Sequence, residues 1–166
     1  MRVYLPVTPG QLAALAAGGE LGPAPLLGFA VTPALREWCA SGDHEELEYV
    51  AMSASGRAAV DLLTASPDAA DHDAAARRLV IAADVDAVIP DARHGPTAVL
   101  LPHAVPLDRV ASVHADAEEV VADVAAAVRM VRTGGPRDDD EEFVLDSCAA
   151  HELAWCATQE ITDLVD

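Results

Sequence analysis

The chain has 166 residues and a formal net charge of −18, with ten arginines and no lysine. Schiff-base and pyridoxal chemistry, and the lysine of a phosphate-binding loop, are therefore excluded. So large a negative charge repels phosphates, so we expect no nucleic acid and no membrane among the partners. Hydrophobic residues make up 52% of the chain and aromatic residues 4%. We expect one domain over residues 1–166, with a small-residue aliphatic core and Trp38 and Trp155 as its large anchors.

Two short apolar runs in the first half of the chain are each followed by a Thr-Pro pair. Val3–Val7 precedes Thr8-Pro9, and Phe29–Val31 precedes Thr32-Pro33. A threonine hydroxyl accepts a hydrogen bond from a free N–H at a helix start, and proline has no N–H to satisfy. Each run therefore predicts a strand that leads into a helix.

Residues 45–64 fit two interpretations, one long helix or a strand followed by a helix. Leu47, Val50, Ala54 and Ala58 suit the helical period, whereas Gly56 near a junction favours the second interpretation, which we adopt.

The second half of the chain predicts three strands and two helices. Apolar runs over 79–85 and 97–101, and an alternating pattern over 109–115 with Val110 and Val113, are typical of strands. Asp116 is predicted to cap a helix with a valine stripe, since Glu119 stands at the capping-box position. An acidic flexible loop is expected around 134–142, and a last helix from about Asp146 to Leu164. Together these elements predict an α+β domain, a mixed β-sheet with helices packed on it.

A candidate metal or catalytic cluster consists of His114, Asp116, His151 and Glu152, with Glu160 as a further ligand. Imidazoles and carboxylates bind Zn, Mn or Fe, and His114 and Asp116 lie where a strand enters a helix. Against a metal site, capping already explains Asp116, and His114 is expected to point outward. The segment His151-Glu152-Leu153-Ala154-Trp155 lacks the second histidine of a zincin motif.

Other side chains offer weaker candidates. Four arginines could hold an anion, although in so acidic a chain pairing with carboxylates is favoured: Arg36, Arg57, Arg77 and Arg78. Asp71-His72-Asp73 is read as exposed charge. The three cysteines, at 39, 148 and 156, are expected on apolar helix faces as packing residues, and no dinucleotide fingerprint is present, so no cofactor is expected.

Several segments distributed along the chain resemble an uncharacterised actinobacterial family of acidic proteins of about this length, a domain of unknown function. The segments are Met1–Pro6, Leu21–Pro23, Phe29–Glu37, Glu45–Tyr49, His151–Trp155 and Glu160–Ile161. The resemblance implies a GC-rich Gram-positive source and a cytoplasmic protein. It carries no activity and no catalytic residue with it.

The hypothesis that these observations favour is a non-enzymatic cytoplasmic interaction or regulatory protein, which binds a basic protein partner or itself. We expect a cytoplasmic location because the N-terminus does not resemble a signal peptide and the number of cysteines is odd. An alternative is a small metal-dependent hydrolase that uses the His/Asp/Glu cluster. A third is an acidic mimic of nucleic acid.

Overall fold

The computed structural model describes residues 1–65, 76–131 and 136–165. The strands are β1 (Arg2–Val7), β2 (Glu20–Leu21), β3 (Leu26–Ala30), β4 (Leu79–Asp84), β5 (Ile89–Pro90), β6 (Ala98–Leu101), β7 (Val105–Pro106), β8 (Val110–Ala115) and β9 (Ala154–Cys156). The helices are α1 (Pro9–Gly18), α2 (Pro33–Trp38), α3 (His44–Ala65), α4 (Glu118–Val131), α5 (Asp139–Ala149) and α6 (Ile161–Val165). This confirms the α+β class.

A seven-stranded sheet with the order β5-β6-β3-β1-β4-β8-β9 forms the centre of the domain, and β2 pairs with β7 beside it. Every strand pair among the described residues is antiparallel, so the expectation of a mixed sheet was wrong. Strand β1 lies in the middle and is buried on both faces, which explains its continuous apolar sequence.

Helices cover both faces of the sheet. Side chains of β1 and β4 such as Leu5 and Ile81 pack with Leu12 and Leu15 of α1 and Ile161 of α6. The opposite face packs against α3. Helices α4 and α5 then pack on the outer side of α3, where two smaller clusters centre on Leu63 and on Val60 and Leu145.

Both predicted Thr-Pro helix starts are confirmed. The hydroxyl of Thr8 accepts from the N–H of Gln11, and that of Thr32 accepts from the N–H of Leu35. Helix α1 ends at Gly19, whose φ of 73° is the left-handed conformation that glycine adopts readily.

The strand-then-helix interpretation of residues 45–64 was wrong, because α3 is one helix. Its buried side chains recur every four residues, at 47, 51, 55, 59 and 63. Gly56 is not a junction. It faces the chain's interior, where a Cβ would lie 3.7 Å from Leu153 and 3.8 Å from the Arg78 guanidinium.

The predicted helix from Asp146 to Leu164 was also wrong. Helix α5 ends at Ala149, and β9 then adds to the sheet beside β8, with His114 opposite Trp155. The acidic run thought to form a loop supplies the start of α5 instead: Asp138 is the N-cap and forms a capping box with Glu141. Carboxylates are favourable there, because they interact with the free N–H groups and the positive end of the helix dipole. Gly134 and Gly135 lie outside the described residues.

The two tryptophans are not core anchors. Trp38 is 72% exposed and Trp155 is 64% exposed. Leucine, valine and alanine fill the core without them. Of the cysteines, Cys148 packs inside on α5, whereas Cys39 caps α2 and Cys156 belongs to β9, so the expected helix faces hold for Cys148 alone. No helix of the described residues is both long and apolar enough to cross a membrane.

Candidate functional site

The four residues of the predicted cluster have separate environments. His114 lies on β8, where its Nε2 is 3.2 Å from the hydroxyl of Ser112. Asp116 is buried and His151 and Glu152 are exposed. Within residues 1–65, 76–131 and 136–165, no three or more His, Cys, Asp or Glu side chains are arranged to hold a metal ion. The structure therefore does not bring the predicted ligands together as a metal centre.

Asp116 has a structural partner. Its carboxylate accepts hydrogen bonds from the backbone N–H, the Nε and the Nη2 of Arg78. The same guanidinium donates to the carbonyl oxygens of Ala149 at 3.0 Å and His151 at 2.8 Å. Asp116 stands two residues before α4, so the expectation that it caps this helix was wrong. The pair fixes the end of α5 and the entry to β9 against the sheet.

The other predicted anion-binding arginines differ in their surroundings. Arg57 on α3 donates to Asp61 at 3.0 Å, to Glu142 at 2.7 Å and to Asp146 at 2.9 Å. These bonds join α3 to α5. Burial opposes the charge of Arg57, but the three carboxylates outweigh it and raise its pKa.

Arg36 and Arg77 lack a carboxylate partner among the described residues. Arg36 contacts His44, with 3.2 Å between Nη2 and Nδ1. Arg77 has its Nε enclosed with no hydrogen-bond partner in the described chain. Arg57 and Arg78 are thus engaged by the protein's own acids, and the segment Asp71-His72-Asp73 lies outside the described residues.

An open groove of about 340 Å³ runs between α4 and α5. On the α4 side it is lined by Asp123, Ala126, Ala127 and Met130, positions that share one helix face. On the α5 side it is lined by Phe143, Val144, Ser147 and Cys148, with His151 at one end. Small alanine side chains on α4 leave the space between the two helices. We call this feature the α4–α5 groove.

Two large apolar side chains of the α4–α5 groove face solvent. Phe143 is 72% exposed and Met130 is 55% exposed. Burial raises the pKa of the Cys148 thiol in the floor of the groove, so this thiol stays protonated and is a packing residue, not a nucleophile. The centre of the groove thus offers apolar contact.

One carboxylate, that of Asp123, lines the α4–α5 groove, and further exposed acidic residues lie one helical turn from the lining. Asp139 and Asp140 precede Phe143 by one helical turn and are exposed. Glu119 precedes Asp123 by one turn on α4, and both are exposed. The His151 ring lies 4.0 Å from the carboxylate of Asp123. An apolar centre with a negative rim is the result.

The sequence analysis did not find the α4–α5 groove. A signal was present: Phe143 follows directly on the acidic run 138–142, and Met130 interrupts a face of alanines. We interpreted the acidic run as a loop, and for this reason we did not place Phe143 on an exposed helix face.

Fold and groove define the class: an antiparallel α+β domain with a layer of paired helices that carries an acidic, apolar-centred surface. The chain belongs to the family described as "Family of unknown function (DUF6912)", whose model matches residues 1–165. The expected membership of a family of unknown function is thereby confirmed over the whole domain. No curated protein and no solved structure matches the chain.

Proposed function

We propose that the protein binds a basic, amphipathic segment of a partner protein in the α4–α5 groove. The observation that carries this proposal is the exposure of Phe143 and Met130 in one groove, with the Asp123 carboxylate in its lining and three exposed carboxylates one helical turn from the lining. Aromatic and methionine side chains supply much of the binding energy at protein interfaces. A groove between two helices accommodates the apolar face of a third helix.

The negative charge around the α4–α5 groove indicates the charge of the segment that binds there. The rim is acidic and the whole chain carries a formal charge of −18. Lysine or arginine side chains beside the apolar face of a partner would meet these carboxylates and accelerate association. A second copy of this chain would bring a second large negative charge to the same surface. Charge complementarity therefore favours a basic partner over self-association.

A synthetic peptide tests the proposal. We expect a peptide of about 15 residues, with leucines at helical spacing and lysines elsewhere, to bind with micromolar affinity at low salt. Raising the salt should weaken binding, because the rim charges are exposed and screened. Phe143→Ala should weaken binding about tenfold, which corresponds to about 1.4 kcal/mol. Isothermal titration calorimetry measures both effects.

Trp38 offers a matched control, since it is as exposed as Phe143 and is absent from the groove lining. Trp38→Ala should leave the affinity unchanged. A second control is a peptide of the same composition whose leucines are scrambled out of helical register. Equal binding of both peptides, or equal losses from both substitutions, would contradict a specific site in the groove.

We also infer a reducing, cytoplasmic setting and an actinobacterial source. All three cysteines, at 39, 148 and 156, are free thiols, which suits a compartment in which disulfides do not persist. The arginine-rich, lysine-free composition suits a GC-rich genome. Alkylation of the thiols in freshly lysed cells, without a reducing agent, tests the compartment.

A further inference from the structure

A second cavity lies between α3 and the strands β1 and β3. It has a volume of about 680 Å³. Its walls are the C-terminal end of β1, the N-terminal end of β3, the connection from β2 to β3, and α3. We call it the β1–β3 cavity.

Small residues on α3 create the space. Ala54 and Ala58 are one helical turn apart and lie across the cavity from Leu27 and Phe29 of β3. Pro23 and Pro25 hold the connection that forms the opposite rim. Pro23 and Pro25 are exposed, so the cavity opens to solvent at this rim. Its volume falls in the range of small-molecule sites.

Most of the lining is apolar, with four polar side chains among the leucines, prolines and alanines. Arg57 is one of these four, but its three nitrogens already donate to Asp61, Glu142 and Asp146. The polar atoms left for a ligand belong to the other three residues: Asp61, His94 and Gln11.

Two of these residues present unoccupied polar atoms. Asp61 receives Arg57 and Arg137 at Oδ1, and its Oδ2 has no hydrogen bond from the described residues, so it presents an acceptor. His94 has its Nδ1 2.9 Å from a carboxylate oxygen of the buried Asp91. Its Nε2 is the ring nitrogen that remains for a ligand.

Gln11 presents a donor. Its Oε1 accepts from the N–H of Thr8 in the capping box of α1, at 2.9 Å. The amide NH₂ of Gln11 is therefore the group that remains for a ligand. An apolar cavity that offers both an acceptor and a donor matches a hydroxyl group, which donates and accepts at once. An anionic group would meet the carboxylate of Asp61, and a cationic group would meet the guanidinium of Arg57, both of which line the cavity.

We propose that the β1–β3 cavity binds a small, uncharged, mainly apolar molecule that carries a hydroxyl group. Asp61 accepts from this hydroxyl or from a neighbouring donor of the molecule, Gln11 donates to it, His94 Nε2 offers a further hydrogen bond, and the apolar side chains pack against its body. This site is separate from the α4–α5 groove and goes beyond the proposed function, so that either proposal stands if the other fails.

Three probes with the same ring system test the proposal: 2-naphthol, 2-naphthoate and 2-naphthylmethylammonium. We expect 2-naphthol to bind at least about tenfold more tightly than either charged probe, measured by equilibrium dialysis. Methyl resonances of Ala54 and Ala58 should shift on binding. Equal affinity of the three probes, or shifts confined to other methyl groups, would overturn the proposal.

Two variants localise the site. Ala58→Phe should fill the cavity and reduce 2-naphthol binding about tenfold or more, whereas Ala14→Phe on the exposed side of α1 should not. His94 is exposed, so we expect His94→Phe to fold even if Ala58→Phe disrupts the structure. It should abolish the preference for 2-naphthol over naphthalene. Phe143→Ala should leave every probe affinity unchanged, and unaltered binding in both cavity variants would disprove the site.

Discussion

Arg78 and Asp116 form an ion pair in which both side chains are completely shielded from solvent, with 2.6 Å between Nη2 and Oδ1. Each nitrogen of the guanidinium has an acceptor, since Asp116 is joined by the carbonyls of Ala149 and His151. A charge pair so far from water is tolerated when its remaining hydrogen-bonding groups are satisfied in this way. The pair joins residues that are distant in sequence and positions the end of α5.

Asp116→Ala should lower the free energy of unfolding by about 3–5 kcal/mol, because it leaves the Arg78 charge buried without a partner. The double variant Arg78→Met with Asp116→Leu should lose less, because no unpaired charge remains. Urea unfolding followed by far-ultraviolet circular dichroism measures both. Asp84→Ala is the control, since the Arg2–Asp84 pair is exposed and should contribute below about 1 kcal/mol. A double variant less stable than Asp116→Ala would refute this account.

His114 should make the protein less stable as the pH falls. Burial, together with the nearby Arg2 charge, lowers the pKa of His114 below its ordinary value. The unfolded chain therefore binds the proton more readily than the folded one, and stability rises with pH. The contribution of His114 is fully present above about pH 6.5 and is lost as the pH falls below that value towards the folded pKa.

His114→Gln removes this titration. We expect its melting temperature to fall less than that of the wild type between about pH 7.5 and pH 5.5. Differential scanning calorimetry at both pH values measures the difference. His103→Gln, at an exposed position, should follow the wild type. If both variants lose the same amount on acidification, His114 is not the responsible group.

The fluorescence of the two tryptophans should be accessible to a dissolved quencher in the native state. Trp38 and Trp155 are mostly exposed, so acrylamide should quench the native fluorescence almost as efficiently as that of the unfolded protein. Stern–Volmer titrations with and without denaturant measure this ratio. Trp38→Phe and Trp155→Phe assign each contribution. A native emission resistant to quenching would place a tryptophan in the core and contradict the structure.

The elements that the sequence predicted well are those fixed by local chemistry. The helix starts at Thr8 and Thr32 depend on a side chain that bonds its own neighbouring backbone, so the signal is contained in four residues. The strand over 79–85 is apolar on successive residues from Leu79 to Ala83 because helices cover the sheet, whereas the strand over 109–115 buries Val110 and Val113.

The elements that the sequence did not predict depend on distant partners. Whether the chain continues as a helix after Ala149 is decided by Arg78, which takes the carbonyls of Ala149 and His151, and by the free edge of β8. As part of β9, Trp155 lies at the surface. The surroundings of the candidate cluster were not predictable for the same reason: Asp116 has a partner 38 residues earlier that no local pattern reveals.

The Arg78 guanidinium has a consequence for the order in which the protein forms. Its acceptors lie at residue 116 and at residues 149 and 151. The guanidinium therefore lacks its full set of acceptors until residue 151 has left the ribosome. The sheet from β1 to β4 has by then been synthesised. Completion of this part of the fold is thus coupled to synthesis of residues 149–151, and a polypeptide released before residue 149 would lack two of the acceptors of Arg78 and be a substrate for proteolysis.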